Sequence, residues 1–207
     1  MPRRSREAAA ETRRQIVETA VTVASTDGLD GLTIGRLAGD VGMSKSGLLN
    51  HFGTKQALQI AALDAAAARF RAAVWHPVAD EAPGLPRLRA AAEAWVAYLE
   101  RRVFPGGCFF AAATMEIDDH PGPVRDRVAE SMTRWHDTLA TDAREAQRVG
   151  DLPPEPTAEQ IAFELQGIVF ATNWALQLLE DHDAPARARA AIDRLLAPPR
   201  QRPTGRY

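Results

Sequence analysis

Alanine dominates this sequence: thirty-nine of the 207 residues are Ala, close to one in five, while aromatic residues make up only 6%. Alanine is the best helix former of all the residues, and the β-branched residues that favour strands are sparse here. The 14 glycines and 14 prolines gather at what read as helix ends. An all-α fold is therefore expected.

A chain of this length buries most of its apolar surface without covalent staples. Its balance of 45% hydrophobic and 25% charged residues is that of a globular protein. The longest apolar run, Cys108 to Met115 with Thr114 inside it, falls far short of the ~20 residues a bilayer span needs. The basic start, Met1 to Arg14, leads into an amphipathic segment, so no secretory signal is read there. One cysteine excludes an internal disulfide framework and a multi-cysteine zinc site. A reducing, cytoplasmic setting without membrane contact is the expectation.

Net charge is -2, but it is unevenly spread. Residues 1–59 hold eight Lys or Arg against six Asp or Glu; the remainder holds 17 against 21. Both lysines of the chain, Lys45 and Lys55, lie in the first part, with Arg3, Arg4, Arg6, Arg13 and Arg14. A basic face is informative only beside a nucleic-acid-binding motif.

Such a motif is present. A helix from about Arg6 to Asp27 carries Ile16, Val17, Ala20, Val23 and Ala24 on one stripe, and Gly28 supplies its left-handed stop. Thr33 caps a short helix, Ile34 to Val41; Gly42 permits a tight turn; Ser44 caps a second short helix through Asn50. Thr54 caps a long helix that begins with Lys55. Two short helices joined by a tight turn behind a supporting helix form a helix-turn-helix unit. The second projects its N-terminal residues into the DNA major groove. Here those residues are Ser44, Lys45, Ser46 and Gly47: two hydroxyls, a cation and a position with no side chain. Spacing alone also admits a small helical bundle with an ordinary polar face.

The stretch from Ile16 to Leu58 resembles the TetR family of transcriptional regulators. The resemblance rests on Leu32-Thr33-Ile34-Gly35-Arg36-Leu37-Ala38, then Val41-Gly42-Met43-Ser44-Lys45, then His51-Phe52-Gly53-Thr54-Lys55-Gln56-Ala57-Leu58. It implies that Thr33 and Lys55 reach phosphates from helix N-termini, where backbone amides and the dipole already favour an anion. It also implies that Ser44, Lys45, Ser46 and Gly47 face base edges or flanking phosphates, with His51 at the backbone. The family usually has Tyr, a phosphate contact, where this chain has Leu49. That contact is expected to be absent, with Asn50 or His51 sharing its task. The arm Arg3, Arg4 and Arg6 either enters a minor groove or is a tail. The implied organisation is a DNA-binding domain over residues 1–53 and a helical effector-binding and dimerisation domain over residues 54–207.

Beyond residue 60 the chain reads as helices with hard punctuation. They are expected near 54–76, 86–103, 109–118, 124–149, 158–180 and 186–196, broken at Pro77, Pro83, Phe104 to Gly107, Pro121 to Pro123 and Pro153 to Pro156. Thr157 and Gln160 form a capping box. The helix from Ile161 to Leu179 is apolar on more than one side, so one face is left for a partner unless the helix is fully buried. A second copy of the chain is the expected partner, and the family resemblance implies that the pairing runs through the last two helices.

Large aromatics concentrate in the later helices. Trp75, Trp95, Tyr98, Phe110, Trp135, Phe170 and Trp174, with Thr114 and Asn173 as polar groups, are the expected lining of a site for a small apolar or aromatic effector. No cofactor is expected. A rival reading is an all-α enzyme using Cys108 or the acid run Glu116 to His120, but no nucleophile–base–orienter set supports it. The same acid run reads as a solvated helix end rather than a metal site.

Overall fold

The computed structural model describes residues 2–198, with side chains from Glu7 onward. The expected arm side chains of Arg3, Arg4 and Arg6 lie outside the described residues. Among the described residues nine α-helices follow one another: α1 Pro2–Gly31, α2 Ile34–Asp40, α3 Lys45–Phe52, α4 Lys55–Phe70, α5 Leu85–Glu100, α6 Phe109–Ile117, α7 Pro123–Val149, α8 Ala158–Leu178 and α9 Ala184–Leu195. Among the described residues there is no strand, and no helix is long and apolar enough to cross a membrane.

The chain forms two compact units. The first is the described part of Met1–Ala72 with Arg101–Met132; the second is Ala73–Glu100 with the described part of Thr133–Tyr207.

In the first unit α1 buries Ile16, Ala20, Val23 and Ala24 of the expected stripe, while Val17 is only half-buried and Val21 and Leu29 are buried in addition. Its helical path breaks at Gly28 (φ 78°) and resumes for a short stretch to Gly31; a residue with a Cβ adopts that φ only at a cost. The loop before α6 presses onto α1: the Gly106 amide donates to the Ser25 hydroxyl at 2.9 Å. A Cβ on Gly106 would lie 1.7 Å from the Ser25 carbonyl oxygen, so no other residue fits. Phe109, Phe110, Ala113 and Ile117 of α6 are buried, and the Phe110 ring meets Phe70 edge-on at 6.3 Å.

The α4 helix is shorter than expected. After Phe70 the backbone widens into a π-turn, Arg71–Trp75, and then tightens into a 3₁₀ turn, His76–Val78. Pro77 has no N–H, and its ring crowds the preceding turn, so a regular helix does not run up to it.

In the second unit α5 turns Leu88, Ala92, Trp95, Val96 and Leu99 inward. Asp142 of α7 is 2% exposed. It accepts Arg87 Nε at 2.9 Å and Nη2 at 2.7 Å, and the Gly84 amide at 3.2 Å. That neutralised pair fixes the start of α5 on α7. Thr157 caps α8 through the Gln160 amide at 3.2 Å. The capping box is half made, because the Gln160 side chain bonds forward to Glu164 at 2.9 Å. Ile161, Leu165, Val169 and Thr172 form the buried face of α8, and Ala184, Ala188 and Ile192 that of α9.

Candidate nucleic-acid interface

The geometry of α2 and α3 follows from their caps. Thr33, in extended conformation, accepts the Arg36 amide at 3.2 Å and so starts α2. Gly42 (φ 67°) makes the turn, and the Met43 amide closes it on the Ala38 carbonyl at 2.8 Å. The Ser44 hydroxyl accepts the Gly47 amide at 3.0 Å and shares a 3.1 Å hydrogen bond with the Ser46 hydroxyl. Leu37 and Ala38 of α2 and Leu48 and Phe52 of α3 are buried. This seats α3 rigidly and leaves Lys45, Ser46, Leu49 and Asn50 exposed along it.

Of the eight residues expected to meet DNA, Thr33, Ser44, Lys45, Ser46 and Asn50 are exposed; Gly47, His51 and Lys55 are half-buried. Lys45 lies against α2: a Cβ on Gly35 would stand 3.1 Å from its Cε and 3.4 Å from its Nζ. The Lys55 ammonium donates to the Asp30 carbonyl at 3.0 Å and stands 3.4 Å from Asp30 Oδ1. That anchor holds the amine at the α4 N-terminus, where Thr54 caps the Ala57 amide at 3.0 Å.

Two supporting residues were invisible to sequence reasoning. Arg13 of α1 stacks over the Phe52 ring at 4.1 Å and donates to the His51 carbonyl, closing the C-terminal end of α3. A cation at a helix C-terminus also suits the dipole. Glu116 of α6 is the second: Asp118, Asp119 and His120 of the acid run are exposed as expected, but for Glu116 the expectation of a solvated acid is corrected. Its carboxylate accepts the amides of Leu29 at 2.7 Å and Asp30 at 2.6 Å. The break at Gly28 leaves those two donors without helical acceptors, and the nearest acid fills the gap. Nothing in the sequence links positions 87 residues apart. Among the described residues no three of His, Cys, Asp and Glu stand close enough to hold a metal ion.

The residues expected to line an effector site are distributed. In the second unit Trp135 meets Trp95 edge-on at 5.4 Å and Trp75 at 6.2 Å, and Arg87 stacks on Trp75 at 5.4 Å. Trp95, Tyr98 and Trp135 are buried, whereas Phe170 and Asn173 are half-buried. Trp174 stands apart from that buried cluster. It is 55% exposed and borders a groove of about 350 Å³ between α8 and α9, with Ile168, Ala175, Leu179 and Ala188. Phe110 and Thr114 lie on α6 in the first unit, where the Thr114 hydroxyl donates to the Phe110 carbonyl at 2.7 Å.

Comparison with known proteins gives a consistent result. Residues 16–62 match the model of bacterial regulatory proteins of the tetR family. Residues 84–192 match that of the tetracyclin repressor-like C-terminal domain. A TetR transcriptional regulator from Chloroflexus aurantiacus J-10-FL superposes with a TM-score of 0.81 at 25% identity, over 92% of this chain and 94% of that one. A TetR-family regulator from Cytophaga hutchinsonii gives 0.80 at 20% identity, over 92% and 95%. AibR, crystallised with isovaleryl coenzyme A and operator DNA, gives 0.73 at 22% identity, over 90% and 99%. No curated protein matches the chain in sequence.

Proposed function

The chain belongs to the TetR family of transcriptional regulators, and we propose that it is a cytoplasmic, ligand-responsive repressor that binds a pseudo-palindromic operator as a homodimer. The observation that carries this reading is the α3 face. Lys45, Ser46, Leu49 and Asn50 are exposed on a helix whose opposite side is locked by Leu48 and Phe52. Two such helices related by a two-fold axis read half-sites about one turn apart, ~34–36 Å. Thr33, Ser44, Gly47, His51 and Lys55 add phosphate and groove contacts, and the functional division falls between residues 53 and 54.

The dimer forms through α8 and α9. Phe163 (65% exposed), Trp174 (55%) and Leu178 (68%) offer an apolar stripe at helical spacing, of the kind helical interfaces bury. The effector is small and apolar or aromatic, held by the second unit near Trp75, Trp95, Tyr98 and Trp135. AibR, which shares the fold, was crystallised with isovaleryl coenzyme A and operator DNA, so a helical scaffold of this kind accommodates a small molecule as well as DNA. A ligand favouring a conformation unsuited to the groove loosens the operator by its differential affinity.

The enzyme reading has little support: Cys108 is 1% exposed, and the Glu116 carboxylate is committed to two amides. The test is a band shift on the DNA upstream of the protein's own coding sequence, with excess nonspecific duplex. A complex that survives the competitor is expected. Binding abolished equally by competitor would sink the operator reading.

A further inference from the structure

Adjacent leucines of α3 have opposite fates: Leu48 is fully buried, whereas Leu49 is 38% exposed. One helical step of 100° separates them, so Leu49 is turned out by geometry. It sits four residues after Lys45, on the same side, and adjoins the exposed Ser46 and Asn50. The helix carries no acidic residue. Each neighbour can hydrogen-bond a phosphate or a base edge; Leu49 cannot.

In the major groove, guanine, adenine and cytosine present hydrogen-bonding groups and flat C–H edges, and thymine alone projects an apolar group, its C5-methyl. A leucine against a polar edge would remove water from it and return no hydrogen bond, which is costly. Against a methyl it buries apolar area on both sides. The Tyr usual at this position reaches a phosphate through its hydroxyl; leucine has no such group, so a phosphate gives it no bond and only an apolar neighbour rewards its exposure. We infer that Leu49 is a specificity-determining residue, selecting a thymine at one position of each half-site through its C5-methyl. This rests on the operator-binding reading above.

The discriminating probe is thymine without its methyl. The full-length protein first enriches binding duplexes from a randomised DNA pool. The enriched duplex is then resynthesised with deoxyuridine replacing each thymidine in turn. For wild type, one position per half-site is expected to lose affinity about fourfold, the worth of one buried methyl-sized group. All other replacements are expected to be neutral. Leu49→Ala, measured at lower salt to keep binding in range, is expected to bind thymidine and deoxyuridine duplexes equally. Leu49→Met, which keeps the apolar contact, is expected to retain the loss. Equal wild-type affinity for every deoxyuridine duplex overturns the assignment, as does an undiminished methyl penalty in Leu49→Ala. Failure of the pool to enrich at all instead overturns the operator-binding reading itself, and this inference with it.

Discussion

Gly28 and Glu116 occupy one place in the structure: a Cβ added to Gly28 would stand 2.7 Å from the Glu116 carboxylate oxygen. The glycine supplies a left-handed break (φ 78°), and the acid takes the two amides the break exposes, those of Leu29 and Asp30. Asp30 in turn holds Lys55 through its carbonyl, and the Leu29 carbonyl accepts Gln59 at 2.7 Å. A carboxylate on α6 thereby organises the short connection between α1 and α2.

Glu116→Ala should lower stability by about 1–3 kcal/mol, the cost of leaving hydrogen-bonding groups unmatched. Gly28→Ala should cost at least as much, since it adds backbone strain to the collision. Chemical denaturation of both variants checks this. Wild-type stability in Glu116→Ala would mean water serves those amides equally well.

The Arg87–Asp142 pair gives the second prediction. Asp142→Ala leaves a largely buried guanidinium unpaired, with an expected loss of about 3–5 kcal/mol. The bond to Asp142 also holds the Arg87 pKa above its usual value. Replacing both residues by apolar ones of similar size should recover much of the loss. A thermal melt of the single and double variants decides whether the pair or the packing matters.

Acid sensitivity should have a defined sign. Arg189 bridges Glu93 and Glu100 at 2.7–3.1 Å, and its hydrogen bond holds the Glu100 carboxyl below the usual range. Arg14, Arg148 and Arg144 do the same for Glu11, Glu145 and Glu159. A carboxyl with a depressed folded pKa contributes fully above its unfolded pKa, and that contribution fades as pH falls through the folded value. Stability should therefore decline on acidification below the ordinary carboxylate range. In Arg189→Gln the decline should be shallower, by a small amount because the pair is partly exposed. An identical acid limb in the variant would remove Arg189 from the account.

The helices were largely legible because their ends are written locally. Thr33, Ser44, Thr54 and Thr157 each accept the amide three residues on, and a cap needs only its own turn to be recognised. Glu116 was not legible, since its partners are distant in sequence and an acid near a helix end has many fates. The roles of the tryptophans were equally hidden. Trp95 and Trp174 both sit at helical spacing among alanines and leucines, yet one is 2% exposed and the other 55%. Periodicity marks an apolar face without saying what covers it.

That uncovered face makes the dimer testable. Light scattering of the wild type should report about twice the 22.5 kDa chain mass. Leu178→Asp with Trp174→Ala should shift it toward the monomer, because a charge and a missing aromatic in the centre of a helical interface remove its anchors. Helical content should remain intact, since both side chains are exposed within the chain. A monomeric wild type would dispose of the interface and of the paired half-sites together.

The two lysines should report through salt rather than sequence. Each phosphate contact contributes about 0.9 to the slope of log affinity against log salt concentration. Lys55 is anchored by Asp30 with its ammonium at the α4 N-terminus, so Lys55→Ala should flatten the slope by about one unit per subunit, on operator and nonspecific duplex alike. Lys45 is exposed at the start of α3 with its amine near Gly35 of α2, and a lysine serves a phosphate as a point charge. Lys45→Ala should therefore act on the slope in the same way, leaving base preference unchanged. Leu49→Ala should do the opposite, altering preference at constant slope, because no counterion is released by an apolar contact. A changed base preference in Lys45→Ala at constant slope would move that lysine from the phosphate to the groove floor.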